Sequence, residues 1–167
     1  FLSGVHMTER VSVKADANGN NDGTSWNNAY NQLSQAVVDA HRQHEIYGNH
    51  PDVWVAQGTY TVAYSYGSVT YLPSNVSVYG GFVGNETSFA QRPQPGTAAF
   101  QPSILDGQNN GNSIIYQSEY YSSENQSIID GFIIQNGYTG AELRSGSVIR
   151  NCIIANSGNF GINIYGT

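Results

Sequence analysis

Two aspartates and an arginine stand at matching positions of short repeated segments. Asp106 lies in ILDGQ, Asp130 in IIDGF and Arg150 in VIRNC, with Gly80 at the same place in VYGGF. If these segments stack in register, successive side chains lie one strand spacing, roughly 4.8 Å, apart. The carboxylates could then hold a hard cation such as Ca²⁺ through oxygen. The structural alternative is that Asp before Gly forms a turn and that Arg150 neutralises the stacked acids.

A second candidate for a calcium site lies near the amino terminus. Asp16, Asn18, Asn20 and Asp22 alternate along the chain, as oxygen ligands do at the start of a calcium-binding loop. The twelfth position of such a loop carries a bidentate Glu, and here it is Asn27. The alternative is an Asn- and Gly-rich turn that caps a helix. Ca²⁺ is thus the one cofactor that the sequence suggests, and none is required.

Tyrosine is frequent, and a group of tyrosines could form a surface for a glycan or a protein partner. Aromatic rings stack on sugar faces, and Tyr is common at protein interfaces. The alternative is packing on strands, where Tyr is favoured in any case. The residues predicted to form this surface are Tyr64, Tyr66, Tyr71, Tyr120 and Tyr121.

An internal repeat indicates the architecture that must position these side chains. Four segments align without gaps, and one period further along the chain Ala141–Gly146 aligns with Gly161–Gly166. A repeat of 20 to 26 residues, made of short strands and turns, predicts a solenoid of β-coils. The four segments that align without gaps are VYGGF (78–82), ILDGQ (104–108), IIDGFIIQN (128–136) and VIRNCIIAN (148–156).

The repeated positions also predict the interior and the bends of each coil. Gly131 or Asn151 is expected to supply a bend, because both residue types tolerate left-handed backbone geometry. Asn136 stacked on Asn156 predicts a ladder of amides that satisfy each other and the turn backbone. The side chains expected to line the interior are Ile129, Ile133, Ile149 and Ile153.

One helix is predicted, before the repeat begins. Residues 11–15 alternate as a short strand, and an Asn/Asp/Gly turn cluster follows at 16–26. Apolar residues then recur three and four apart, which predicts an amphipathic helix over 27–45 with Ser25 or Thr24 as its N-cap.

The chain after this helix reads as strands and turns. Residues 53–62 predict two strands around a Gly turn, 64–73 a hairpin or loop, and 76–82 a strand. Residues 84–102 hold three of the five prolines and predict a long loop. The predicted division of the chain is a tail or leader remnant at 1–10, a strand with a capping helix at 11–52, and β-helix coils at 53–167.

The composition argues against several classes of partner. Charged residues make up 11% of the chain, against roughly 25% in a typical domain. The net charge is −6 and Lys14 is the only lysine, so neither nucleic acid nor an anionic membrane surface is expected to bind. No run of apolar residues is long enough to span a membrane. The richness in Asn, Ser and Thr is typical of secreted or cell-surface bacterial proteins, and the single cysteine, Cys152, excludes an internal disulfide.

Five segments in this order resemble the amino-terminal region of bacterial right-handed parallel β-helix proteins of the pectin-lyase-like superfamily. They are GNNDGTSWNNAYNQLSQAV, VWVAQGTYT, VSVYGGFVGNETSFAQRP, SILDG and IIDGFIIQNG, and the likeness covers about residues 11–166. The resemblance implies an all-β, right-handed parallel β-helix, or β-solenoid, with an amino-terminal α-helical cap. It also implies that the helix over 27–45 hides an exposed edge of the solenoid and that Trp26 and Trp54 pack it onto the first coil.

The same resemblance frames the expected function. The superfamily includes polysaccharide lyases and hydrolases, adhesins and surface proteins. The chain stops at GINIYGT within the repeating pattern, so we expect an open end that self-associates, end to end, into filaments. We expect a secreted or cell-surface structural or adhesive β-solenoid. The alternative is the amino-terminal portion of a polysaccharide lyase or glycoside hydrolase acting on an acidic glycan, in which Asp106 and Asp130 would hold Ca²⁺ and Arg150 would be the base.

Overall fold

The structure, a computed structural model, describes residues 7–61, 68–73, 75–117, 126–144 and 146–165. One α-helix, one 3₁₀ turn (Phe89–Gln91) and thirteen short strands are present in these ranges. In chain order they are β1 (Arg10–Val13), α1 (Leu33–Tyr47), β2 (Asp52–Ala56), β3 (Gly58–Thr61), β4 (Ser68–Tyr71), β5 (Val78–Phe82), β6 (Ser103–Asp106), β7 (Ser113–Tyr116), β8 (Ile128–Asp130), β9 (Phe132–Gln135), β10 (Ala141–Arg144), β11 (Val148–Arg150), β12 (Ile153–Ala155) and β13 (Ile162–Tyr165).

The strands form three sheets in which every pairing is parallel. Their orders are β1-β2-β5-β8-β11, β3-β6-β9-β12 and β4-β7-β10-β13. From β2 onward the chain visits the three sheets in turn, so every third strand stacks on its predecessor. This arrangement is a parallel β-helix of four coils, and the predicted fold class is confirmed.

The solenoid interior is filled by one face of each strand. Phe132 and Ile134 of β9 are fully buried, whereas Ile133 between them is half-buried and Ile153, stacked on Ile133, is exposed. The prediction that Ile133 and Ile153 line the interior was therefore wrong. The reason is the bend at Gly131: its left-handed backbone (φ +86°) directs the next side chain, Phe132, inward.

The predictions for the bends and for two other interior positions are confirmed. Asn151 has φ +51° and occupies the same bend as Gly131 one coil later. Ile129 is fully buried, and Ile149, stacked on it, packs against the core. The last period is shifted by one residue from the predicted alignment, since Ala141 pairs with Ile162 rather than Gly161. The turn that precedes β13 holds one residue more than the turn that precedes β10.

Helix α1 covers the first coil, as predicted, but begins later than expected. Its buried face, which includes Leu33, Ala36 and Val37, joins the same core cluster as the strands, and α1 contacts β1, β2 and β4. Tyr30 is held extended beside β1, because its backbone N–H donates to the carbonyl of Ser12 and its carbonyl accepts from Lys14. The helix therefore begins at Leu33, and residues 27–32, which were predicted to be helical, are not.

The predicted helix caps and the predicted role of the tryptophans need correction. The N-cap of α1 is Gln32, and neither Ser25 nor Thr24 caps it. Both of those side chains hydrogen-bond within the preceding turn instead. Trp26 and Trp54 pack on Phe82 in a separate cluster outside the helix contact. The cap is thus held to the first coil by aliphatic side chains.

Two further expectations concern the remaining segments. Residues 84–102 form the predicted long connection, interrupted by the 3₁₀ turn. Part of the segment predicted as a hairpin or loop, 64–73, is strand β4, which pairs in parallel with β7. Within the described ranges, no helix has both the length and the apolar character needed to cross a bilayer.

Candidate functional site

The predicted column of Asp106, Asp130 and Arg150 is only partly formed. Arg150 stacks directly on Asp130, but Asp106 pairs with Gln135 in a different sheet. Gly80 is also displaced by one residue, because Asp130 pairs with Tyr79. The segments ILDG and IIDG have similar sequences but lie in different sheets, so the predicted alignment of one with the other was wrong. The two carboxylates are not neighbours in a stack.

Asp130 is the centre of a buried ion pair. Its carboxylate accepts hydrogen bonds from Arg92 (3.0 Å), Arg150 (2.6 Å) and Asn151 (3.1 Å). The Asp130 and Arg92 side chains are only 3% and 4% exposed, whereas Arg150 is 52% exposed. Burial would raise the pKa of Asp130, but these hydrogen bonds outweigh it and hold the pKa below its usual range. The carboxylate is therefore ionised, and its hydrogen bonds to protein groups hold neighbouring coils together.

Arg92 was not identified as a site residue from the sequence. Besides Asp130, its guanidinium donates to the backbone carbonyl of Gly80 at 2.7 Å. It lies within 6 Å of four aromatic ring centroids, those of Tyr79, Phe82, Phe89 and Phe100. One signal was available: Arg92 and Glu86 are the only charged residues between 84 and 102. When a long loop contains so few charged residues, those residues are candidates for buried ion pairs or hydrogen bonds.

Glu86 organises the start of that loop. Its carboxylate accepts from the backbone N–H groups of Val83, Gly84 and Asn85 at 2.6 to 3.0 Å. Its backbone carbonyl accepts from the indole of Trp26 and from Arg10. The loop is thereby fixed against the outer face of the first sheet.

An aromatic cluster covers this outer face. The Trp54 ring is stacked on Phe82 at 4.6 Å, and the Arg10 guanidinium lies 4.5 Å from the Trp54 centroid. Phe89 meets Trp54 and Tyr79 edge-on, with centroids 5.7 and 5.0 Å apart. These contacts hold Phe89 in place although 40% of its surface is exposed.

Beside this cluster lies an open groove of about 610 Å³. A second groove, of about 410 Å³, shares Thr8 and Glu9 with it and continues to His50. Burial raises the pKa of the Asp52 carboxyl, which lines the larger groove. The residues lining the larger groove are Thr8, Glu9, Arg10, Thr24, Asp52, Trp54, Thr87, Ser88 and Phe89.

Asp106 belongs to a ladder of amides. Its carboxylate accepts from the backbone of Gln108 and from the side chains of Gln135 and Asn136, at 2.8 to 3.0 Å. Burial would raise its pKa, but these hydrogen bonds lower it. Asn156 in turn donates to Asn136 at 3.4 Å, so the predicted contact between these two asparagines is confirmed.

The proposed calcium loop is a network of turn hydrogen bonds. The Asp22 carboxylate accepts from the backbone and hydroxyl of Thr24, and Asp16 pairs with Lys14 at 3.4 Å. Asn18 is exposed, and the backbone N–H of Asn20 donates to an amide oxygen. Within the residues that the structure describes, no three His, Cys, Asp or Glu side chains group as a metal site would require. Calcium binding by residues 16–22 stays a prediction.

The predicted tyrosine surface is described only at Tyr71. This residue lies on β4, is 40% exposed, and its ring centroid is 6.1 Å from that of Tyr116. Tyr64, Tyr66, Tyr120 and Tyr121 lie outside the described residues.

Comparison with known proteins places the chain in a family. The family model described as "Protein of unknown function (DUF1565)" matches residues 15–167. The chain therefore belongs to that family, which is associated with β-helix proteins, in agreement with the three parallel sheets. Neither a curated protein nor a solved structure matches it.

Proposed function

We propose that this member of the DUF1565 family is a structural β-solenoid, secreted or displayed on the cell surface, and related to the pectin-lyase-like superfamily. One observation carries the proposal: the charged residues expected to do chemistry are engaged between coils. Asp130 is held by two arginines and an asparagine, and Asp106 by two side-chain amides and a backbone N–H. Hydrogen-bonded carboxylates of this kind stabilise the stacking of one coil on the next.

An enzymatic role as a polysaccharide lyase or glycoside hydrolase is the weaker proposal. Both reactions rely on carboxylates that are free to meet a substrate, a proton or a metal ion. Asp130 is buried and ion-paired, and Asp106 stands in another sheet. Arg150, the expected base, is bonded to Asp130.

The last described coil supports a role in assembly. Ile162 and Ile164 stack on Ala141 and Leu143, which are fully buried, yet Ile164 is 61% exposed. Each is an interior position with no described coil on its other side. A second copy of the chain that stacks here would bury these side chains and pair with the edges of β11, β12 and β13 that face away from β8, β9 and β10. We propose that the solenoid self-associates through this coil.

The test is the assembly state of the protein over a dilution series. Light scattering gives the mean mass, and electron microscopy gives the particle shape. Assemblies that grow with concentration and keep the coil axis as their long axis would support the proposal. A monomer at every concentration would refute assembly through this coil. Secretion is tested separately, by fractionating source cells and probing each fraction with an antibody.

A further inference from the structure

We propose that the larger groove, lined by β1, β2 and residues 87–89, binds a neutral saccharide. The site lies on the outer face of the first sheet, near the helix-capped end of the solenoid. It is remote in the chain from the last coil, so the inference does not depend on self-association. At about 610 Å³ the groove falls in the size range of small-molecule sites, roughly 300 to 1,000 Å³.

The polar lining suits a ligand rich in hydroxyl groups. Asp52 pairs in register with Arg10, yet among the described residues its carboxylate has no hydrogen bond or ion pair. Glu9 is exposed on the same groove. Carboxylates accept hydrogen bonds from adjacent hydroxyls, and the hydroxyls of Thr87 and Ser88 can both donate and accept. Sugars present this combination of donors and acceptors.

The aromatic lining suits the apolar face of a sugar ring. Phe89 is exposed on one side and fixed on the other by edge contacts with Trp54 and Tyr79. The electron-rich face of an aromatic ring attracts the polarised C–H groups of a sugar. A ring held in place loses little side-chain entropy when a ligand binds.

Trp54 provides an independent indication of a ligand. It is 7% exposed and lines the groove, and its indole N–H has no hydrogen-bond partner among the described residues. A buried donor without a partner is unfavourable, and most such donors are satisfied by protein, water or ligand. The indole nitrogen is itself buried, so a saccharide hydroxyl or a water supplies the acceptor once the side chains of the lining shift on binding.

Charge favours a neutral saccharide over an acidic one. Glu9 and Asp52 bring two carboxyl groups to the groove, and Arg10 is the one cation in its lining. Arg10 already donates to the carbonyl of Glu86 and stacks on Trp54. The whole chain carries a net charge of −6. An anionic sugar would therefore be repelled.

Tryptophan fluorescence is a direct readout, because both tryptophans of the chain belong to this aromatic cluster. The full chain is titrated with neutral hexasaccharides of β-1,4-linked glucose, mannose and N-acetylglucosamine and of α-1,4-linked glucose. Hexagalacturonate is the acidic comparison. A saturable change with a neutral sugar, matched by calorimetry, is the expected result. No binding by any neutral sugar, or binding of hexagalacturonate alone, would overturn the proposal.

Matched variants locate the site. Asp52→Asn and Glu9→Gln keep side-chain volume, and we expect Asp52→Asn to weaken binding about tenfold through the loss of a charge-assisted hydrogen bond. Phe89→Ala should abolish binding. Phe160→Ala, which removes an exposed ring from the turn between β12 and β13, is the control and should bind as the wild type does. Circular dichroism verifies the fold of each variant, and unchanged affinity in a folded Asp52→Asn variant would overturn the assignment.

Discussion

Arg92 and Asp130, 38 residues apart in the chain, form an ion pair of 3.0 Å in which both side chains are almost fully buried. The pair joins the long loop after β5 to the end of β8. Arg92 also donates to the carbonyl of Gly80, so a single guanidinium links the loop to two successive coils. Removing one partner would leave the other charge buried and unpaired.

We therefore expect Asp130→Asn to lower the free energy of unfolding by about 3–5 kcal/mol. Arg150→Gln is the matched control, because Arg150 bonds to the same carboxylate but is half exposed. Exposed ion pairs contribute little, and its loss should cost no more than about 1 kcal/mol. Urea denaturation measures both values. Equal losses of unfolding free energy in the two variants would show that Arg92 can stay buried without Asp130 as its partner.

The same carboxylate predicts sensitivity to acid. Its pKa is lowered in the folded state, so it stabilises the fold above the unfolded-state pKa of about 3.9 and loses this effect as the pH falls toward the folded-state pKa. We expect the urea midpoint of the wild type to drop between about pH 5 and about pH 3. Asp130→Asn should show a smaller drop. Identical pH profiles would contradict the assignment.

The bends give a prediction about backbone strain. Asn156 has φ +55°, a left-handed conformation that disfavours side chains with a Cβ other than Asn or Asp. Asn156→Ala should cost about 1 kcal/mol, whereas Asn156→Gly should be nearly neutral because glycine tolerates this geometry. Thermal unfolding of both variants compares them. An Ala variant as stable as the Gly variant would show that the bend relaxes.

Gly131, at a neighbouring bend, should be less tolerant than Asn156. Its φ is +86°, and an added Cβ would overlap the Arg92 guanidinium and lie 3.0 Å from the Gly80 carbonyl. Gly131→Ala would therefore combine backbone strain with disruption of the buried ion pair. We expect it to cost at least about 3 kcal/mol by the same measurement.

The sequence predicts the fold well because the coil periodicity is local. Segments 128–136 and 148–156 have equal turns, so their letters align in the register that the strands adopt. The segment 104–108 was misplaced, because short apolar strings followed by Asp-Gly occur at the ends of strands in more than one sheet. Periodicity alone does not say which of three sheets a strand joins.

The candidate sites were less predictable, because they depend on contacts between distant residues. Arg92 reaches Asp130 from a long loop, and no local spacing relates the two. The groove brings Asp52 together with Phe89, which belongs to the same loop. Besides its three prolines, only the scarcity of charge marked residues 84–102 as unusual.

The last prediction concerns Ile164, which is 61% exposed although its counterpart one coil earlier, Leu143, lies in the solenoid interior. Ile164 stacks on the buried Leu143, so a second copy that covers the last coil would also bury residue 164. Ile164→Lys would place an unpaired charge in that contact, at a cost of several kcal/mol, and should leave the protein monomeric. Asn163→Lys is the control, because it adds the same charge at the adjacent position, where the strand alternation directs the side chain outward. Sedimentation velocity over a dilution series separates the outcomes: association that survives in Ile164→Lys would place the contact elsewhere, and loss in both variants would indicate a general effect of charge.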